Sequence, residues 1–292
     1  MHPAFTKQQI TGAGADIAVS SGGSGPPLLL LHGHPQTHMM WAKVASRLAD
    51  RFTIIAADLR GYGASSKPES TADHAPYAKR AMAADMVAVM RELGHEQFFV
   101  VGHDRGARVT HRLCLDHPDK VKKAGVLDIA PTRHMYPNTN MDFATGYWHW
   151  FFLIQPYPLP EKIIGTDPKG FWMLKCGSGS AGLTPFAPEA LEDYLRCYRD
   201  PATIHAICED YRASSTIDLQ HDDADFAAGQ KVTCPLLVLW GANGQIAEWY
   251  DPITVWRHYA DDVIGTSIEA GHYLAEEAPD AVTEQFIKFF GD

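Results

Sequence analysis

Four short apolar runs limit what this chain can fold into. PPLLLLHG (26–33), FTIIAADLRG (52–61), FFVVGHD (98–104) and PLLVLWG (235–241) are each bounded by Gly, Pro or Asp. None alternates strictly between apolar and polar residues, which is the pattern of strands buried on both faces of a parallel sheet. KAGVLDIAP (123–131) is a fifth candidate, and VIGTSIEAGH (263–272) a sixth with a less continuous apolar run. Helical periodicity lies between them. In 78–93, Met82, Met86, Val89 and Leu93 share one face, and 38–50 and 279–290 are amphipathic as well. Strands alternating with helices predict an α/β fold with a mostly parallel, doubly wound sheet. One long stretch breaks the rhythm. Residues 133–222 are rich in Trp, Tyr, Pro and charge and contain no convincing strand. The reading is a core of 1–132 and 223–292 interrupted by a mostly helical cap of 133–222.

The 292 residues are 46% hydrophobic, enough for one large domain with a substantial core. A formal net charge of −10 disfavours nucleic acid and anionic membrane as partners. An anionic ligand would need positive charge concentrated locally. The five cysteines are odd in number and show no C-x-x-C spacing, so a disulfide framework and a cysteine zinc site are not expected. Most of these thiols read as small core residues in a reducing compartment. MHPAFTKQQITGAGAD lacks the apolar segment of a signal peptide, and no apolar stretch approaches the ~20 residues of a spanning helix. A cytoplasmic protein is the expectation.

The third apolar run ends in G-H-D-R-G, residues 102–106. This has the form of the nucleophile elbow G-x-S-x-G, in which glycines on both sides let the central side chain stand exposed between a strand and a helix. Here the centre is Asp104. The alternative role for Asp104 is to cap the helix that follows. Three further features point to chemistry. LLLLHGHP places the backbone N–H of His34 where an oxyanion donor stands in such folds, with the N–H of Arg105 as the second. His272, in IEAGHYLAEEAP, follows the last apolar strand, where this architecture places its general base. The orienting acid is often found after the PLLVLWG strand, but WGANGQIAEWYD has Gly244 at that position. Asp128, in VLDIAP, is the best replacement, with Glu248 and Asp251 as rivals.

The order Asp104, Asp128, His272 resembles the nucleophile, acid, base order of the α/β-hydrolase superfamily, and the resemblance runs over nearly the whole chain. A carboxylate nucleophile displaces leaving groups from saturated carbon and forms an ester. With an ordinary pKa of ~3.9 it is ionised without a base. The histidine is then needed to activate the water that cuts the ester. Dehalogenases and epoxide hydrolases share this route. They usually carry an aromatic residue after the nucleophile, where this chain has Arg105, with Arg108 three residues on. Arginines give planar, bidentate recognition of a carboxylate. The alternative is that one of them makes a structural ion pair.

DRGAR therefore resembles the fluoroacetate (haloacetate) dehalogenase family. The resemblance implies that Arg105 and Arg108 hold the substrate carboxylate. It also implies that His149, Trp150 and Tyr211, in WHW and DYRA, donate hydrogen bonds to the departing halide. The family often has Phe where this chain has His34. The expected enzyme hydrolyses small 2-haloacids without a cofactor or metal, and the resemblance suggests a homodimer. An epoxide hydrolase, with Tyr147 or Tyr157 partnering Tyr211, is the nearest rival. A binding protein for small acids on the same scaffold is another.

Overall fold

Leu28, Leu29, Leu30 and Leu31 are fully buried, and the strand they form sits inside an eight-stranded sheet. The computed structural model describes residues 4–177, 179 and 181–291; the first three residues of the N-terminal reading lie outside them. The strands are β1 (Thr6–Thr11), β2 (Asp16–Gly23), β3 (Pro27–Leu31), β4 (Thr53–Ala57), β5 (Phe98–His103), β6 (Val121–Leu127), β7 (Leu236–Gly241) and β8 (Val263–Ile268). Their order is β1-β2-β4-β3-β5-β6-β7-β8. Every pair from β4 to β8 is parallel, while β1 and β2 form an antiparallel edge.

The six expected strands are present, and the edge pair is additional. Only Ile10 of β1 is buried, so that strand has no apolar run to betray it. The helices expected over 78–93 and 279–290 are observed as Lys79–Glu92 and Pro279–Phe290. The predicted helix at 38–50 is a 3₁₀ turn, His38–Trp41, running into Ala42–Leu48. Between β6 and β7 all described elements are helical, the longest being Pro201–Ser215. The last of them, Ile217–Ala227, continues past residue 222. Among the described residues no helix is long and apolar enough to cross a membrane.

After β3 the chain builds β4 on one side, then crosses to build β5 on the other. In open α/β sheets, ligands bind outside the carboxyl ends of strands at such a reversal. The loops after β3 and β5 carry His34 and Asp104, so the topology alone brings these two residues to one crevice.

A buried carboxyl group links the helical insertion to the core beside this crevice. Glu276 is 3% exposed. Its carboxyl accepts from Gln36 on the loop after β3, and from Tyr194 Oη of helix Pro188–Tyr198 at 3.1 Å. Burial pushes its pKa up to about 8, against the opposing pull of Tyr194, Lys43 and Gln36. Because the folded value lies above the ordinary 4.5, the stability contributed by the protonated form is complete below about pH 4.5 and is lost as pH rises through about 8. Glu276→Gln, which cannot ionise, is expected to gain several kcal/mol relative to the native chain between about pH 5 and about pH 8. Urea unfolding at the two pH values checks this, and parallel pH dependence of the two proteins contradicts it.

Candidate active site

The turn from β5 into helix Arg105–Asp116 holds Asp104 at φ 47°, ψ −111°, a conformation that an L-residue adopts only when its surroundings enforce it. The surroundings are glycines. A Cβ on Gly102 would stand 2.2 Å from the Gly106 carbonyl, and one on Gly106 would stand 2.4 Å from the His32 carbonyl. A Cβ on Gly33 would strike Asp104 itself at 2.4 Å. Strand, elbow and the loop after β3 therefore approach more closely than any side chain permits. The Asp104 carboxylate makes no capping bond to its own helix. Its Oδ1 accepts the His34 backbone N–H at 2.8 Å.

Burial works to raise the Asp104 pKa, but the charges of His272, Arg105 and Arg108 outweigh it and hold the carboxyl below the usual range. It is ionised at neutral pH. His272 Nδ1 lies 2.6 Å from Asp128 Oδ2, and Asp128 Oδ1 accepts the Gly241 N–H at 2.9 Å. A Cβ on Gly244 would stand 3.6 and 3.7 Å from the two Asp128 carboxylate oxygens. An acid placed at 244 and Asp128 would thus reach the same neighbourhood, although they follow different strands. The rivals stand elsewhere. Asp251 caps helix Pro252–Trp256 through Thr254, and Glu248 is exposed.

Sequence reasoning missed His103, which is fully buried beside Asp104. Its Nε2–H donates to the His272 carbonyl at 2.8 Å, and its ring centroid lies 4.6 Å from that of His272. Burial, helped by His272, lowers its pKa to about 3, so it is a neutral donor hanging the histidine loop from the elbow. Only its place inside the G-x-D-x-G pattern signals this.

A cavity of about 290 Å³ opens over the elbow, with Asp104, His272, His34, His149, Trp150 and Lys175 among its lining residues. Arg105, Arg108 and Tyr211 are buried beside it: Tyr211 meets the lining residue His34, Arg108 lies over the lining residue Trp150, and Arg105 lies over the Tyr211 ring. His34 and His149 stack with centroids 6.1 Å apart, and Tyr211 Oη lies 3.3 Å from His34 Nδ1. Burial, reinforced by the charge of Lys175, lowers both histidine pKa values well below the ordinary range, so both rings are neutral. Lys175 itself carries no motif in the sequence. Tyr157, offered as a partner for Tyr211, is 68% exposed and packs on His205 away from the cavity, whereas Tyr147 lines it.

The two arginines differ in a way the sequence could not reveal. Arg105 is gripped by Asp210 of helix Pro201–Ser215. Its Nε and Nη2 donate to the Asp210 carboxylate at 2.9 and 2.7 Å, and Nη2 also reaches the Asp210 carbonyl at 2.9 Å. Asp210 further accepts from Tyr62 Oη at 2.6 Å and from Lys79. Only Nη1 of Arg105 is buried without a partner. Arg108, 4% exposed, donates to the Ala130 carbonyl at 3.1 Å, Thr132 Oγ1 at 2.8 Å and Met135 Sδ at 3.3 Å, and lies 4.8 Å over the Trp150 ring. No described carboxylate pairs with it. Burial and the charge of Arg105 lower its pKa. A buried cation with only neutral partners is a destabilised group that an arriving anion would stabilise. The ion-pair alternative therefore describes Arg105, held by the otherwise unremarked Asp210, and not Arg108.

Residues 26–279 match the family model described as the alpha/beta hydrolase fold. A fluoroacetate dehalogenase from Burkholderia sp is 45% identical over 293 aligned residues, covering 100% of this chain and 96% of the relative. The chain belongs to the fluoroacetate dehalogenase family of α/β-hydrolases. A solved α/β-hydrolase from Nostoc sp PCC 7120 superposes on this dehalogenase-family chain with a TM-score of 0.95 at 52% identity, covering 99% of each. A soluble epoxide hydrolase from Corynebacterium sp. (strain C12) is also similar, at 32% identity over 92% of this chain and 91% of the relative. The fold and the family expected from the blocks around Asp104 are thus both found.

Proposed function

We propose that this chain hydrolyses small 2-haloacids, fluoroacetate or chloroacetate, to glycolate, halide and a proton through an ester on Asp104. The observation that carries the reading is Arg108, a buried guanidinium with neutral partners only, four residues from the ionised Asp104. A substrate that brings its own carboxylate supplies the missing charge. Arg108, with the free Nη1 of Arg105, holds that carboxylate. Asp104 attacks the α-carbon in line, and the carbon–halogen bond breaks as the new C–O bond forms. His149, Trp150 and Tyr211 donate to the halide. His272, oriented by Asp128, takes a proton from the water that attacks Cγ of Asp104. The charge that develops on Asp104 is met by the N–H groups of His34, which already donates to Asp104 Oδ1 at 2.8 Å, and of Arg105. No cofactor or metal has a step in this scheme. The division into a core of 1–132 and 223–292 with a cap of 133–222, a cytoplasmic location and a homodimer belong to the same proposal.

Fluoride is small and concentrates its charge as it leaves, so it depends most on preorganised donors. Tyr211→Phe is expected to lower fluoride release by about 10²–10³-fold and chloride or bromide release by less than about tenfold. Ion-specific electrodes on fluoro-, chloro- and bromoacetate measure both. Equal losses on all three halides exclude Tyr211 from the halide site. A chloroalkane and styrene oxide serve as uncharged controls. Turnover of styrene oxide with no halide release from any haloacid overturns the proposal in favour of the epoxide hydrolase, for which Tyr147 and Tyr211 are the available pair.

A further inference from the structure

The odd cysteine count gave no reason to pair any thiols, but the fold pairs two of them. Cys114 lies near the end of helix Arg105–Asp116, and Cys234 lies two residues before β7. Their sulfurs are 4.0 Å apart across 120 positions of sequence. Cys114 is 2% exposed and Cys234 is half-buried, so Cys234 is the more accessible residue of the two. This is the arrangement of an attacking thiol with a resolving thiol in reserve. The other three thiols lack both features. Cys176, Cys197 and Cys208 are buried, and burial pushes the Cys176 thiol up to about 11 and that of Cys197 up to about 12. By contrast, the contact with Cys114 lowers the pKa of Cys234. The pair stands at the amino end of β7, across the sheet from the carboxyl ends that carry Asp104, Asp128 and His272.

We propose that Cys114 and Cys234 form an oxidisable pair, which peroxide converts to an intrachain disulfide enclosing the entire helical insertion. The Cys234 thiolate attacks one oxygen of hydrogen peroxide, the O–O bond breaks, and a sulfenic acid and water result. The Cys114 sulfur then attacks the Cys234 sulfur, the S–O bond breaks and a second water leaves. Two thiols are oxidised, one peroxide is reduced, and the two thiol protons end in the waters. Closing 4.0 Å to the ~2.05 Å of a disulfide requires turning one or both side chains. The bond would restrict a long stretch of the unfolded chain, so it should raise the melting temperature without touching the crevice.

The test uses the full chain treated with hydrogen peroxide, quenched with a thiol-blocking reagent, and mapped by mass spectrometry of a non-reducing digest. The expected product is one linked peptide pair containing Cys114 and Cys234, cleaved by dithiothreitol, with Tm raised by roughly 5–10 °C. Cys234→Ser and Cys114→Ala each remove both the link and the peroxide-induced Tm shift, and either variant alone suffices if the other folds poorly. Prior oxidation of Cys176, Cys197 or Cys208 overturns the proposal, as does a Cys234 sulfenic or sulfinic acid that never resolves to Cys114. None of these readouts depends on dehalogenase activity.

Discussion

Asp104→Ala is expected to abolish halide release, lowering kcat by about 10⁴-fold or more, while the protein remains folded. The residue is held in a conformation that three glycines make available, its Oδ1 accepts the His34 N–H, and its negative charge is favoured by His272, Arg105 and Arg108. No neighbouring carboxylate can replace it, because Asp128 is engaged with His272 and Gly241, and Asp210 with Arg105 and Lys79. The paired variant separates the two halves of the reaction. His272→Ala leaves the attacking carboxylate ionised, so it should release one equivalent of halide and stop with the acid esterified to Asp104. Intact-protein mass spectrometry after chloroacetate reads this directly. Steady turnover by His272→Ala, or halide release by Asp104→Ala, contradicts the assignment of these residues.

Arg105→Met and Arg108→Met are expected to fail in opposite ways. Removing Arg105 strips the Asp210 carboxylate of its two-pronged partner inside a buried cluster, and breaking such a pair costs about 3–5 kcal/mol of stability. Removing Arg108 breaks no ion pair among the described residues. Its replacement by an apolar side chain leaves stability unchanged or raises it by about 1–4 kcal/mol. Activity tells the reverse story for Arg108: losing the partner of a buried substrate carboxylate costs about 2–5 kcal/mol, or roughly 30- to 5,000-fold in kcat/KM. Urea unfolding and steady-state kinetics on the two variants make the comparison. An Arg108→Met enzyme that unfolds as easily as Arg105→Met and retains kcat/KM would make Arg108 the structural arginine and remove the anion site.

Much of this arrangement was legible in the sequence because its causes are local. Buried parallel strands must be continuous in apolar residues, so β3 to β7 were plain. An elbow needs its glycines, so Asp104 stood out; β1 did not, since one buried residue in six leaves no pattern. His272 followed from its place after the last strand. What the sequence withheld depends on contacts between distant segments. Asp210 is an ordinary acid on a helix until the fold lays it on Arg105, 105 positions away. Glu276 shows no sign in sequence of the burial that raises its pKa, and the nearness of Cys114 to Cys234 arises from a helix end meeting a strand start. The absent acid at 244 was legible as a gap, but the nearness of Gly244 to the Asp128 carboxylate arises only where the fold brings the ends of β6 and β7 together.

The central claim is the ester on Asp104, and the oxygen balance of one turnover tests it most directly. With enzyme in excess over chloroacetate in ¹⁸O-enriched water, the attacking oxygen comes from Asp104 and leaves in glycolate, while water replaces it at Cγ. The account predicts label in the peptide containing Asp104 and unlabelled glycolate; label in glycolate with Asp104 unlabelled would show direct attack by water and contradict it.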